Sequence, residues 1–497
     1  MKAFMKKSLL LTLAILSFVW TGCKKYLEQE PDLRTQINTI EKVAQLVGSA
    51  YPGYGYLSFA ETYSDNVNDK GPEATAAVLI NPYVDLYQWR DIDSDGNDTP
   101  TIYWNACYEA IAAANHALRA IEEHDFGTEV LPYKGEALVA RAYAHFMLVT
   151  FFAKAYEPGG ANSTPGIPYV TEAEDVVLKD YERGTVASVY AQIEQDLVEG
   201  IPLLQGGSWR VPKYHFTYPA ANAFASRFYL FKGEWDKVIS HANAVFPDGN
   251  YEGQIRPENS TIQGWTPDTR EIEYTKADKN YNLLIANIRS LYQRSSTGFY
   301  SRYHLGNAKY LELFSRNTAA GGRFVYNGSS YGSGTHYYTR KYEEYFYYTN
   351  VAAGTGQAYI MMPLITADEA LMNRAEAYIR QLDFANAIDD LDLFASTRIN
   401  GYDATTHKVT AEKSMDHFDT EDPEDALLKT VLEFKQIAFV QEGIRWMDIL
   451  RHKITVRHSQ IDELGKETYI ELPADDNRRM LQIPQAATLS GIEFNPR

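Results

Sequence analysis

Two segments of the chain repeat one pattern of aromatic and aliphatic residues at an offset of 149 positions. Tyr229 is followed six residues later by Trp235, and Tyr378 is followed at the same spacing by Phe384. Each segment predicts a helix, a tight turn and a second helix that opens with small or aliphatic residues. Because one helix pair cannot bury its own apolar face, we expect the pairs to stack on neighbours as a mainly α-helical scaffold.

The spacing resembles the tetratricopeptide pattern, in which a tyrosine lies near the end of the first helix. The offset is much longer than one repeat, so a long insertion must separate the two pairs. Apolar residues also recur at helical spacing in residues 40–50, 107–121, 138–153 and 189–201, with Thr39 as a plausible N-cap. Near the end of the chain, Arg445, Asp448 and Arg451 share one helical face and are expected to form structural ion pairs.

Residues 247–360 lack a sustained apolar period and are rich in Gly, Ser, Asn and Tyr. Their many aromatic residues argue against disorder, and loops of this length in a compact protein are usually functional. We therefore expect a helical scaffold at about residues 36–246 and 361–455, and an irregular, loop-rich insertion at about 247–360.

The first 22 residues have the anatomy of an export signal. Lysines near the start precede an uncharged apolar run, residues 8–20, that is too short to span a bilayer. A small residue, Gly22, then precedes Cys23, which predicts a lipoprotein signal that is cleaved before an acylated cysteine. The mature chain would be residues 23–497. An ordinary secretory signal with a chance cysteine near its cleavage site is the alternative.

Charge and cysteine content narrow the classes of function. The formal net charge is −18 at pH 7, which repels nucleic acid. If Cys23 is acylated, only Cys107 remains, so an intramolecular disulfide is excluded. Cys107 lies on an apolar stripe with Ile111 and Ala114, and we expect a buried thiol.

Tyrosine outnumbers the other aromatic residues, which suits half-wet binding surfaces. Residues 87–97 and 265–303 combine rings with Asn, Asp or Arg on predicted loops, as a sugar-binding surface requires. Trp89 is the strongest candidate, because it lies among polar residues and no apolar period demands its burial. The predicted ligand-binding residues are Trp89, Tyr87, Asn97, Tyr292, Tyr300 and Tyr303. The alternative is that these rings anchor long loops to the scaffold.

Two short motifs resemble chemical sites but are incomplete. Asp91, Asp93 and Asp95 copy the first half of a calcium loop, but the twelfth position, which needs an acid, is Ile102. A structural calcium site and a solvated Asx-turn loop both remain open, and no other cofactor is predicted. Ser330 stands in a G-x-S-x-G match without the strand and helix that a nucleophile elbow needs, so a surface loop is expected there.

The segment Cys23-Lys24-Lys25-Tyr26-Leu27-Glu28-Gln29-Glu30-Pro31 resembles the C-x-x-x-L-E-x-x-P start of mature SusD/RagB-family proteins. Residues 104–115, 135–143, 374–378, 442–451 and 483–496 resemble further landmarks of that family, in the family's order.

The resemblance implies an outer-membrane lipoprotein that captures a nutrient, most often an oligosaccharide, without catalysis. It also implies a partner, a SusC-like TonB-dependent transporter that receives the nutrient. Three alternatives stay open: a peptide-binding member of the same family, a secreted glycan hydrolase, and a helical-repeat scaffold protein without a small ligand.

Overall fold

The computed structural model describes residues 37–74, 83–92, 94–174, 179–296, 302–331 and 336–497. Helices dominate the described residues, as predicted. In chain order the α-helices are α1 (Ile40–Val47), α2 (Leu57–Tyr63), α3 (Tyr83–Tyr87), α4 (Pro100–Glu123), α5 (Leu131–Phe152), α6 (Val186–Leu203), α7 (Tyr218–Lys232), α8 (Trp235–Asn243), α9 (Pro267–Glu273), α10 (Tyr292–Ser296), α11 (Asn307–Phe314), α12 (Ala367–Arg380), α13 (Phe384–Ser396), α14 (Ala411–Phe418), α15 (Pro423–Ala438) and α16 (Ile444–Arg451).

Strands are short and are grouped in small antiparallel sheets. They are β1 (Asn68–Asp69), β2 (Asn282–Arg289), β3 (Tyr303–His304), β4 (Ser329–Tyr331), β5 (His336–Tyr338), β6 (Glu344–Asn350), β7 (Thr355–Thr366), β8 (Val456–Ile461) and β9 (Glu467–Leu472). The pairs β1–β3, β4–β5 and β8–β9 stand apart from a three-stranded sheet of order β2–β7–β6.

The two repeated segments form the predicted helix pairs, α7 with α8 and α12 with α13. They are neighbours in space, because α12 packs against both α7 and α8. Arg227 of α7 and Glu369 of α12 join the pairs through a buried ion pair with both contacts at 2.5 Å. The prediction of stacked helix pairs is confirmed, and the chain between them leaves the scaffold and returns.

Helices α4, α5 and α6 extend the same stack on the N-terminal side of α7. Cys107, on α4, is fully buried and free among the described residues, as predicted. Thr39 caps α1 as expected, since its hydroxyl accepts a hydrogen bond from the backbone N–H of Lys42 at 3.3 Å.

The three predicted ion-pairing residues of α16 connect it to other elements. Arg445 binds Asp65 after α2, with two contacts of 2.8 Å. Asp448 accepts from Lys435 of α15 at 2.6 Å, and Arg451 binds Glu376 of α12 with two contacts of 2.8 Å. The network therefore clamps α16 to three neighbouring segments.

The stretch 247–360 is more ordered than an irregular insertion. It contains β2 to β6, the first half of β7 and three short α-helices. One face of the β2–β7–β6 sheet is buried through residues such as Ile288, Ile360 and Met362. These strands have no clean alternation in sequence, because β2 is buried on both faces over much of its length.

Strand β7 continues directly into helix α12. Thr366 is the last residue of the strand, and its hydroxyl caps the helix by accepting from the backbone N–H of Glu369 at 3.3 Å. The sheet is thereby fixed to the scaffold without an intervening loop. Among the described residues, no helix has the length and apolar character needed to cross a bilayer.

Candidate functional site

Three predicted site residues come together, but in the interior. Tyr87 stacks on Tyr303 (ring centroids 4.5 Å apart) and on His458 (4.2 Å), and Trp89 stacks on the other side of His458 (4.4 Å). Trp89 is 1% exposed, Tyr87 0% and Tyr303 6%. The expectation that these rings face solvent is wrong, because the stack ties α3 and β3 to the β8–β9 hairpin.

The other predicted ligand residues are scattered. Tyr292 is 1% exposed and packs against Tyr342 and His304, so it too is a packing residue. Asn97 is half-buried, and Tyr300 lies outside the described residues.

The acidic residues of the half calcium loop do not converge on a common point. Asp91 is bound by the Arg497 guanidinium, with contacts of 2.6 to 3.0 Å, and Asp95 is exposed. Asp93 and Cys23 lie outside the described residues. Within the described part of the chain, no group of three or more His, Cys, Asp or Glu is arranged to hold a metal. The calcium site stays a prediction that these contacts do not support.

Ser330 lies within the short strand β4, paired with Tyr337 of β5. It does not stand at a turn between a strand and a helix, which is where a nucleophile elbow places its serine. The described geometry around Ser330 fits the predicted glycine-serine surface segment.

The strongest candidate for ligand contact is the open face of the β2–β7–β6 sheet. Arg289, Tyr359 and Tyr345 stand opposite one another in register across the three strands, and Asn287 lies two residues from Arg289 on the same face. Tyr54, from the segment before α2, contacts the end of this row. We name Tyr54, Asn287, Arg289, Tyr345 and Tyr359 the aromatic sheet face.

Hydrogen bonds hold the aromatic sheet face in place. Arg289 donates from Nε to the Tyr359 hydroxyl and from Nη1 to the Tyr54 hydroxyl, both at 3.0 Å. These bonds raise the pKa of Arg289 above its ordinary value. Tyr345 donates to the Asn287 side-chain oxygen at 2.5 Å, and the Tyr345 and Tyr359 rings lie 17° from parallel with centroids 5.8 Å apart. The result is a rigid pair of rings edged by an arginine and an amide.

The face is open to solvent. Tyr345 is 37% exposed, and Tyr347, two residues further along β6, is 64% exposed. Phe346 and Tyr348 alternate onto the other side and are also exposed, because the hairpin extends beyond the core. Gly356 permits this hairpin, since a Cβ there would lie 2.1 Å from the Tyr347 carbonyl oxygen.

Sequence reasoning passed over this face although a signal was present. Four rings in succession at residues 345–348 cannot all be buried by one sheet face, so some of them must meet solvent or a ligand.

The segment around Trp89 contributes polar residues to a separate groove of ≈ 450 Å³. Arg90, Asp91 and Asp95 line it, together with the half-exposed Phe494.

Comparison with known proteins identifies the fold. Residues 25–230 match the profile of the family SusD-like_3, described as starch-binding associating with outer membrane. A putative sugar binding protein from Bacteroides vulgatus has a similar structure, with 20% identity, a TM-score of 0.65, and coverage of 93% of this chain and 99% of that one. For a SusD superfamily protein from Bacteroides thetaiotaomicron, the identity is 19%, the TM-score 0.60 and the coverage 92% and 100%. The chain therefore has the fold of the SusD superfamily, and its residues 25–230 match the SusD-like_3 family.

A SusD-like carbohydrate binding protein from Bacteroides vulgatus gives a similar comparison, with 14% identity, a TM-score of 0.61, and coverage of 91% and 96%. No functionally curated protein matches the sequence significantly. The SusD resemblance in the sequence is thus confirmed by the family profile over residues 25–230 and by the fold over most of the chain. Most of the aromatic sheet face lies beyond the matched residues 25–230, so the role of that face must be argued from its own geometry.

Proposed function

We propose that this SusD-family protein binds an oligosaccharide on the aromatic sheet face without cleaving it. The observation that carries the proposal is the ring pair of Tyr345, which is exposed, and Tyr359, which is half-buried, held nearly parallel beside Arg289 and Asn287. Pyranose rings have apolar C–H faces that pack on aromatic rings, and hydroxyls that bond to guanidinium and amide groups. The family description and the sugar-binding names of two structural relatives support the same ligand class.

The hydroxyl groups of the face suit a neutral sugar. The Tyr54 and Tyr359 oxygens each accept from Arg289, so their own hydrogens remain able to donate to ligand oxygens. Among the described residues, no carboxylate forms an ion pair with Arg289, which leaves its remaining N–H groups for ligand contact.

The wider role in this proposal is delivery of the bound glycan to a TonB-dependent transporter at the outer membrane, with the protein anchored through Cys23. The family's association with the outer membrane supports this location. Two controls address the rival functions. Incubation with glycans that bind should give no cleavage products, whereas a hydrolase would release them. Binding of any glycan would argue against the helical scaffold protein, which has no small ligand.

Affinity electrophoresis and calorimetry against a panel of neutral glycans test the binding surface. We expect Tyr345→Ala to weaken binding about 10-fold or more, since loss of one stacking ring costs about 1–3 kcal/mol with planar ligands. Tyr348→Ala is the matched control, because it removes an exposed ring of the same strand from the opposite side. Equal losses in both variants, or none in Tyr345→Ala, would place the glycan elsewhere.

A peptide ligand is the second candidate, and one observation favours it. Among the described strands, β6 pairs only with β7, so its outer edge has free backbone groups that an extended peptide can join as a further strand. The Tyr347 carbonyl points toward β7, so the backbone groups of Phe346 and Tyr348 point to the outer edge. A proline at Phe346 or Tyr348 would block pairing with a peptide while leaving Tyr345 in place. Loss of peptide binding in those variants, with glycans inactive, would favour this candidate.

A further inference from the structure

A small cavity lies away from the aromatic sheet face and shares no residue with it. Its walls include Glu258, Arg270, Tyr326, Asn327, Lys341 and Arg398. It encloses ≈ 40 Å³, room for about three waters. The cavity is therefore too small for a sugar ring and large enough for one compact polar group.

Most charges around this Arg270 cavity are already compensated. Lys341 donates to Glu442 at 2.5 Å, and Arg398 forms an ion pair with Asp368. The Glu258 carboxylate accepts from the Tyr274 hydroxyl at 3.0 Å and from the Asn327 side-chain amide at 2.7 Å.

Arg270 is the exception. Its side chain is buried, with the residue 5% exposed, and its Nη2 donates to the Trp265 carbonyl oxygen at a long 3.4 Å. Among the residues that the structure describes, Nε and Nη1 have no acceptor and no carboxylate forms an ion pair with the guanidinium.

Such an arrangement is unfavourable without a partner. A buried guanidinium stays charged. Each of its N–H groups that finds no acceptor in place of water destabilises the folded protein. Burial lowers the pKa of Arg270 from its ordinary value, although the negative charge of Glu258 opposes this shift. Glu258 forms no ion pair with Arg270 among the described residues, and Glu271 pairs instead with Arg340 at 2.6 Å.

We propose that the Arg270 cavity binds a carboxylate group, which accepts hydrogen bonds from the guanidinium of Arg270. A carboxylate is planar, compact and singly charged, and it matches arginine better than any neutral group of that size. It could arrive on an acidic sugar whose ring rests at the mouth beside Tyr326, or as a free short-chain acid.

Calorimetry and thermal-shift measurements with sodium acetate, sodium D-glucuronate, D-glucose and phosphate, at matched ionic strength, test the proposal. We expect acetate or glucuronate to bind, glucose to be silent, and Arg270→Gln to weaken binding at least 10-fold. Arg340→Gln is the control, because Arg340 lies nearby but pairs with Glu271 and Asp268. Tighter binding of glucuronate would identify an acidic sugar, and tighter binding of acetate a free acid.

Absence of carboxylate binding, unchanged binding in Arg270→Gln, or a response to phosphate alone would overturn the proposal. If Arg270→Gln does not fold, crystals of the wild-type protein soaked in acetate decide the matter. A carboxylate within hydrogen-bonding distance of Nε or Nη1 supports the site, and water alone at both atoms refutes it. Glycan binding that depends on Tyr345 would be unaffected by either result.

Discussion

The indole Nε1 of Trp89 donates a hydrogen bond to the backbone carbonyl oxygen of Tyr63 at 3.1 Å. Trp89 has a φ of 52°, in the left-handed region that bulky residues rarely adopt. This turn after α3 directs the indole inward against His458. A single inward residue in a turn leaves no apolar period, which explains why the sequence indicated exposure.

Trp89→Ala should therefore destabilise the protein rather than act on ligand binding. Loss of a buried aromatic side chain typically costs about 3–5 kcal/mol, and the Tyr63 carbonyl would lose its partner as well. Denaturant unfolding measures the change, with Trp265→Ala as a control at a half-buried indole. A stable Trp89→Ala protein with weakened glycan binding would restore the original expectation for this residue.

Cys107 should react with thiol reagents only after unfolding. It is fully buried on α4, and burial raises the pKa of its thiol well above the ordinary range, so little thiolate exists near neutral pH. Labelling with and without denaturant checks this. Rapid modification of the native protein would mean that α4 opens locally.

Glu61 should make stability depend on pH near neutrality. Burial raises the pKa of this carboxyl to about 7, despite bonds from the backbone N–H groups of Gln441 and Gly443. The folded protein then keeps a proton that the unfolded chain releases near pH 4.5. The resulting contribution of Glu61 to the free energy of unfolding is fully present below pH 4.5 and is lost as the pH rises through 7.

Glu61→Gln removes the titration. The difference in unfolding free energy, wild type minus variant, should fall by about 3 kcal/mol as the pH rises from 4 to 8. Chemical denaturation across that pH range measures it. A difference that stays constant or increases with pH would show that the backbone donors keep Glu61 ionised.

Arg451→Met should leave the buried carboxylate of Glu376 without its arginine partner, in contact only with His452 at 3.1 Å among the described residues. Burial raises the pKa of Glu376, but the charges and hydrogen bonds of Arg451 and His452 together outweigh burial and hold that pKa well below its usual range. Breaking a buried pair from one side costs about 3–5 kcal/mol. Arg457→Met is the control, because its contact with Glu471 is exposed and 3.8 Å long. Similar stability of the two variants would contradict the conclusion that Arg451 compensates the buried charge of Glu376.

Cys23→Ala should release the protein from the membrane fraction or leave it held by an uncleaved signal. The acyl chains supply the attachment if the lipoprotein interpretation is right. Fractionation and mass spectrometry of the mature N-terminus measure the outcome. Normal processing of a membrane-bound variant would instead indicate an ordinary secretory signal and another mode of attachment.

Helix positions followed from periodic residues such as Ile111 and Ala114, and the stacking of α7–α8 on α12–α13 followed from one repeated spacing. The burial of aromatic side chains in loops could not be predicted in this way. Tyr87, Trp89 and Tyr303 are brought together by contacts between segments more than 200 residues apart, and nothing local distinguishes them from exposed rings. Tyr345 and Tyr359 form a surface only once β6 and β7 pair, so their role required the register of the sheet.

The junction at Thr366 has a thermodynamic consequence for capture. Since β7, the central strand of the proposed binding sheet, runs into a scaffold helix without a hinge, the rings should lose little conformational entropy when a ligand binds. Binding to such a pre-ordered surface forgoes the cost of ordering a loop. Selectivity among glycans should then depend on shape fit, with association rates that vary little from one ligand to another and residence times that vary widely.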